Sequence, residues 1–268
     1  MRRGFLTLFI LAGLVSGCSF NNVDSADYLK PYFDSAGVQG CFALYDNGRN
    51  EFTIYNRDRY LERFPAGGTF NIVTGLIGLE TGKVFDEKKA GIGGEGLTDT
   101  AGENLTDAFR GDSIGYFQAL TRALGKDTID NRIKALSYGN MDTHGPVDSL
   151  WLGAGLTISP DEQLGLVKRL FFNQLYFQQR TQQVMRTVME REKTTNYTLA
   201  WSEAYTRDSA GRPLGWAIGW IEERHHPYFF VLNIGAGVAG GTGGEFSGKA
   251  GDLMRKILTQ QGFFKGVK

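Results

Sequence analysis

The sequence predicts an α+β (α/β) sandwich, with an antiparallel sheet formed by both chain ends and a helical subdomain inserted between them. Three observations predict it. Two β-rich runs, Val38 to Tyr45 and Glu51 to Asn56, stand near the start of the chain. The apolar period then lengthens to that of a helix across the middle of the chain. After residue 212 the strand pattern returns, and an amphipathic segment closes the chain. Strands, helices and strands again imply layers of helix packed on one sheet.

The first residues read as a targeting segment. Met1-Arg2-Arg3 is a basic start, Gly4 to Leu14 is apolar, and Val15-Ser16-Gly17 are small or short residues before Cys18. About 12 apolar residues are too few to span a bilayer. The pattern resembles the bacterial lipobox, which implies cleavage after Gly17 and a lipid on Cys18. Ser19 in place of Asp then implies the outer membrane, facing the periplasm. The expected organisation is a signal peptide at 1–17, a lipidated tether at 18–30 and one domain at 31–268. Asn21 to Asp27 would reach at most about 30 Å.

With 268 residues, 41% of them hydrophobic, the chain can bury a sizeable core. Lys plus Arg and Asp plus Glu number 29 each, and the basic residues are scattered. No basic stripe suits a nucleic-acid backbone, so no nucleic-acid partner is expected. Cys41, in "GCFALYD", reads as a small core residue rather than a reactive thiol.

Asp46-Asn47-Gly48 between the first two strands is a hairpin signal. Asn71 to Glu80 places Ile72, Leu76 and Leu79 on one helical face, with Gly82 as the stop. Residues 86–104 are polar and glycine-rich and read as a loop. Leu105 to Leu124 reads as a helix, Thr128 to Leu136 as a short one. Ser159-Pro160-Asp161-Glu162 is a capping box opening another helix, and Gln178 to Glu192 is a further helix. "PLGWAIGWIEE" and "PYFFVLNI" are strands joined by a turn at Arg224 to Pro227. The glycine tract 235–244 reads as a mobile loop, and Lys249 to Gln261 as the last helix.

Several stretches resemble one family. "TFNIVTGLIGLETG", from Thr69 to Gly82, is similar to the corresponding segment of class D β-lactamases, members of the penicillin-recognising serine enzymes. Tyr138-Gly139-Asn140 matches their Tyr-Gly-Asn signature, and Leu150-Trp151-Leu152 resembles their tryptophan segment. The last two strands are also similar, so the resemblance covers about residues 36–264 and implies a β-lactamase/transpeptidase-like fold.

The same resemblance exposes what is missing. The family's serine nucleophile and lysine base occupy an S-x-x-K motif, which here reads Gly68-Thr69-Phe70-Asn71. Glycine has no atom with which to attack a carbonyl, and Asn71 cannot take a proton. The S-x-V motif corresponds to Asp112-Ser113-Ile114, and K-T-G to Ser202-Glu203-Ala204. Two lysines are lost and two carboxylates gained, so the formal charge of the pocket falls by four. Each charge is worth about 1 to 4 kcal/mol at about 4 Å. The resemblance therefore implies a pseudoenzyme of the envelope that binds a peptidoglycan-derived ligand or a protein partner.

A working β-lactamase or cell-wall hydrolase with an Asp112–Glu203 pair is the alternative reading. Such a pair could also hold a divalent cation, or simply fill the old site through Asn71, Ser113 and Ser202. No cofactor or metal is implied. The candidate cleft comprises Thr69, Asn71, Asp112, Ser113, Tyr138, Asn140, Trp151, Ser202, Glu203 and Lys249, the last near an anion-binding position of the family. His144 has no paired ligand, and His225-His226 fall on a turn, where adjacent side chains point apart. Trp216 and Trp220 alternate with small residues and read as packing.

Overall fold

The computed structural model describes residues 22–93, 102–237, 246 and 248–268. Cys18, the signal peptide expected at 1–17 and most of the glycine tract lie outside the described residues. The described residues begin with an edge strand, β1 (Val23–Ser25), and then α1 (Lys30–Ala36). The hairpin β2 (Val38–Asp46) and β3 (Glu51–Tyr55) follows, then α2 (Arg57–Leu61) and β4 (Phe64–Pro65). The helical middle is α3 (Asn71–Glu80), α4 (Leu105–Arg110), α5 (Ile114–Leu124), α6 (Lys126–Leu136), α7 (Pro160–Phe171) and α8 (Gln179–Met189), with β5 (Thr157–Ile158) before α7. Four strands and a helix close the chain: β6 (Glu190–Lys193), β7 (Tyr197–Arg207), β8 (Pro213–Glu223), β9 (His226–Ala236) and α9 (Lys249–Gln260).

Seven of the described strands form one sheet in the order β1-β3-β2-β9-β8-β7-β6, so β2 from one chain end pairs directly with β9 from the other, while β4 and β5 pair as a separate two-stranded ribbon. This is the predicted sandwich. One core packs Ile72, Leu76, Phe117 and Val167 of the helical middle against Trp216 and Phe229 of the sheet. The second lies on the opposite face, where Phe33 of α1 and Leu253, Met254 and Ile257 of α9 cover Phe42, Phe230 and Leu232. Strands β8 and β9 are buried almost throughout, as befits strands covered on both faces, and this explains their continuous apolar runs. No helix among the described residues is long and apolar enough to cross a membrane.

The local signals translate directly into bonds. Asp46 Oδ1 accepts from the Gly48 and Arg49 amides at 2.9 and 3.0 Å, closing the hairpin turn. Ser159 and Glu162 exchange both bonds of the capping box at the start of α7. Trp216 and Trp220 are packed against Phe64 and Phe171. His225 is exposed, whereas His226 turns back to Asp46 at 2.7 Å, so the two rings do part at the turn.

Four boundaries differ from expectation. Residues 23–29 are not tether, because β1 pairs in parallel with β3 and both Ala26 and Leu29 are buried. All three β1 residues are exposed, so no alternation marks them in the sequence. The segment 105–124 is two helices, broken at Gly111-Asp112-Ser113, with Asp112 at φ +48°. The expected 178–192 helix ends at Met189, and Glu190–Lys193 instead pairs with β7. Gly235 and Ala236 belong to β9 rather than to a loop.

Cys41 is fully buried, and burial pushes its thiol up to about 12. In a Cys18→Ser background, iodoacetamide should modify native Cys41 at least about 1000-fold more slowly than the urea-unfolded chain. Intact-mass measurement of the alkylated fraction checks this, and comparable rates would contradict the burial.

Candidate functional site

The segment Phe64–Asn71 enters the fold through a tight descent. The Ala66 and Gly67 amides donate to the carbonyls of Leu156 and Trp151 at 3.1 and 3.0 Å. Gly67 has φ +54°, and a β-carbon there would stand 2.9 Å from Thr206 Cβ, so glycine is required on both counts. A 3₁₀ turn over Gly67–Phe70 then leads straight into α3, with every residue from Phe64 to Gly78 buried. Thr69 turns away from chemistry. Its hydroxyl donates to the Ala66 carbonyl at 2.6 Å and accepts from Gln163 Nε2 at 2.5 Å.

Asp112 is the side chain that fills the space beside Gly68. A β-carbon at Gly68 would overlap Asp112 Oδ1 and stand 2.7 Å from its Cγ, well inside contact distance. Asn71 Nδ2 donates to the same Oδ1 at 3.0 Å. The Tyr205 backbone amide, on β7, lies close enough to the carboxylate to hold its pKa down. Strand β6 pairs only with Thr198, Leu199 and Ala200 of β7, so past Ala200 the outer edge of β7 has no partner strand among the described residues. That open edge is what lets the Gly111–Ser113 link approach. Asp112 is largely withdrawn from solvent, and burial pushes its carboxyl up to about 6, against the opposing pull of the Tyr205 amide.

Glu203 does not join Asp112 in a hydrogen-bonded pair. Neighbours on a strand point to opposite faces. Trp201 and Tyr205 pack on the α9 side, while Ala200 and Ala204 pack with the helical middle. Ser202 is therefore buried on the helical side and Glu203 leaves toward α9. There Glu203 Oε1 accepts from the Gly251 amide at 3.0 Å, in the first turn of a helix whose N-cap, Gly248, supplies no side-chain bond. Glu203 caps α9, a structural duty. Burial raises its pKa, and its charge in turn raises that of Asp112.

The positive charge near both carboxylates is Arg191 on β6. It donates to the carbonyls of Trp201 and Arg110 at 3.3 and 2.9 Å and lies 5.3 Å from the Trp201 ring centroid. Its guanidinium lowers the pKa of Asp112 and of Glu203. The fall of four charges inferred from the motifs is thus offset by one. Lys249 begins α9 and lies over Phe246 at 5.5 Å, away from the Asp112–Asn71 contact.

The other predicted residues frame the site. Ser113 caps α5 and donates to Glu103 at 2.6 Å, so it stands beside the cleft wall rather than with Asn71. Tyr138 is buried edge-on to Phe70, its hydroxyl beside Thr69 and Gln163 without a well-formed hydrogen bond to either. Gly139, at φ +54°, packs so closely on Thr157 that a β-carbon would overlap its carbonyl. Asn140 binds the Gly155 carbonyl and the Thr157 amide at 2.7 and 3.1 Å, holding β5 in place for β4. Trp151 is fully buried and stacks on Phe70 at 5.8 Å. Among the described residues, no group of three or more His, Cys, Asp or Glu could hold a metal ion.

Sequence reasoning missed Arg191, Tyr205, Gly251 and Gln163. Gln163 alone carried a signal, as a polar residue on the buried stripe of α7 that includes Leu164 and Val167.

Two outcomes follow from this geometry. Gly68→Ser should destabilise the fold by about 1–3 kcal/mol through overpacking, and adding Asp112→Gly should recover most of that loss in urea unfolding. Strict additivity of the two changes would contradict the contact. The second outcome concerns pH. Folding moves the Asp112 carboxyl from its usual 3.8 to about 6, so between these values the folded chain holds the extra proton. Stability should then fall by about 2 kcal/mol as pH rises from about 4 to about 6, out of a total of about 3 kcal/mol between about pH 3 and 7. The drop should be smaller in Asp112→Asn, and identical profiles would count against the assignment.

Comparison with known proteins agrees with this architecture. The family model described as penicillin binding protein transpeptidase domain matches residues 39–259. The probable β-lactamase YbxI of Bacillus subtilis is 34% identical over 201 residues, 74% of each chain. The crystal structure of FUS-1 (OXA-85), a class D β-lactamase from Fusobacterium nucleatum, superposes with a TM-score of 0.79 at 27% identity, covering 91% of this chain and all of that one. The C-terminal domain of the Bacillus licheniformis BlaR penicillin receptor gives a TM-score of 0.78 at 25% identity, over 90% and 97%. The chain belongs to the penicillin-binding-protein transpeptidase family and is a homologue of its class D β-lactamases.

Proposed function

We propose that this chain is a catalytically silent penicillin-binding-like domain, held at the bacterial envelope by a lipid on Cys18, that works by binding. One observation carries the reading: the Asp112 carboxylate occupies the space into which a side chain at position 68 would project. A nucleophile is absent and its place is taken. Asn71 cannot serve as a base, and Arg191, the cation beside the carboxylates, keeps its proton at any physiological pH. The scaffold beneath the cleft is kept, with Tyr138, Gly139 and Asn140 packed and bonded inside it, which supports a cleft that still holds its shape. A peptidoglycan-derived ligand or an envelope protein partner fits a domain tethered to the membrane. The resemblance to a penicillin receptor supports recognition as a use of this fold.

The second reading, a divergent β-lactamase or cell-wall hydrolase, has one observation in its favour. A carboxyl raised to about 6 can exchange a proton near neutrality, as a general base must. Against it, Glu203 is committed to α9 and no second carboxylate shares the Asp112 hydrogen bonds.

A fluorescent penicillin applied to the purified mature domain should leave no covalent label, and nitrocefin should not turn over. A stable adduct would overturn the silent reading. Turnover that disappears in Asp112→Asn would establish the second. Cys18→Ser should move the chain from the membrane to the soluble fraction, and unchanged fractionation would remove the lipid anchor from the proposal.

A further inference from the structure

The Asp112 carboxylate is held as a ligand would be held. It enters from a loop, lies against a bare glycine Cα, takes a hydrogen bond from the Asn71 side-chain amide and faces the Tyr205 backbone amide on an open strand edge. The loop that delivers it is strained, since Asp112 adopts φ +48°, a region aspartate enters only at a cost. Its neighbour Ile114 is half exposed, so the link lies at the surface of the fold. Asn71 is buried and turns its donor, Nδ2, toward the carboxylate, while its acceptor Oδ1 has no hydrogen-bond partner.

We propose that Gly68, Asn71 and the Tyr205 amide form a carboxylate-accepting cradle, which Asp112 fills as a built-in ligand and which a peptide carboxylate enters by displacing the Gly111–Ser113 link. This deepens the binding function proposed above and rests on it. The charges facing the cradle are mixed. Arg191 of β6 attracts an anion, while Glu203 of β7 repels one. Removing the Asp112 charge therefore leaves a site with two donors, a neighbouring guanidinium and the volume of one carboxylate. The cradle discriminates by charge and shape, because a neutral amide of equal size would offer one acceptor atom where a carboxylate offers two.

Asp112→Gly empties the cradle and at the same time suits φ +48°, so the substitution relieves the loop as it removes the plug. Thermal melting is measured in sodium formate, sodium acetate, acetamide and sodium chloride at equal concentration, at a pH where formate is ionised. Formate should raise the Tm of Asp112→Gly by about 2–4 °C in a saturable manner. Acetamide and chloride should not, and wild type and Asp112→Asn, in which formate must first displace the filled link, should need at least about tenfold more formate for the same shift. Should Asp112→Gly lose its near-UV circular dichroism in chloride, recovery in formate but not in acetamide reports the same site. Equal effects of formate and chloride on the variant, or equal effects of formate on the variant and on wild type, would overturn the cradle. That failure leaves the silent reading standing, whereas penicillin labelling of the wild type would remove the silent reading and with it the binding role of the cradle, so the two failures are told apart by which experiment gives them.

Discussion

The contact between the Asp112 carboxylate and the bare Cα of Gly68 is the constraint around which this site is arranged. Several features make sense only with it in place. The break between α4 and α5 exists to aim that side chain, and its left-handed backbone is the strain that the contact must outweigh. Asn71 serves as a donor to the carboxylate, where a base would have accepted a proton. The edge of β7 contributes an amide that a further strand would otherwise have taken. A side chain at position 68 would break all three relationships at once.

Much of the framework was readable because local signals and tertiary structure agree. The Asp46 turn, the Ser159 capping box and the apolar face of α3 are decided by residues within a few positions of one another. The failures fall where the apolar period, followed alone, runs past other signals. The period of Leu105, Ala108, Phe109, Tyr116 and Phe117 runs on through the break, although Gly111 ends α4 and Ser113 caps α5 there. Glu190 to Lys193 reads as the end of a helix, yet pairing with β7 draws these charged residues into a strand. That same misreading hid Arg191, since a helix would not have placed it beside Trp201.

The comparison of motifs located Asp112, Asn71 and Glu203 but could not assign their partners. Two acids in one cleft suggest a catalytic pair when only positions are known. The alternation of β7 separates them, sending Glu203 to the first turn of α9 and leaving Asp112 at the strand edge. Each acid then acquires a separate role, one closing a helix and the other filling a cradle. The field of Glu203 still reaches Asp112 and helps to keep its pKa high, so the two remain coupled without touching.

Charge also explains why losing the lysine at position 71 is compatible with a stable fold. A buried ammonium needs a charged or well-bonded partner, and stripping away that partner costs about 3–5 kcal/mol. The neutral amide of Asn71 places one donor on Asp112 and leaves one acceptor unpaired, which costs about 1–3 kcal/mol. Restoring lysine alone would set its ammonium beside Asp112 as an ion pair, holding the carboxylate more firmly over Gly68. Restoring serine alone would collide with that carboxylate. A lysine at position 71 alone therefore leaves Asp112 over Gly68, and a serine at position 68 alone meets that carboxylate, so positions 68, 71 and 112 can change only together.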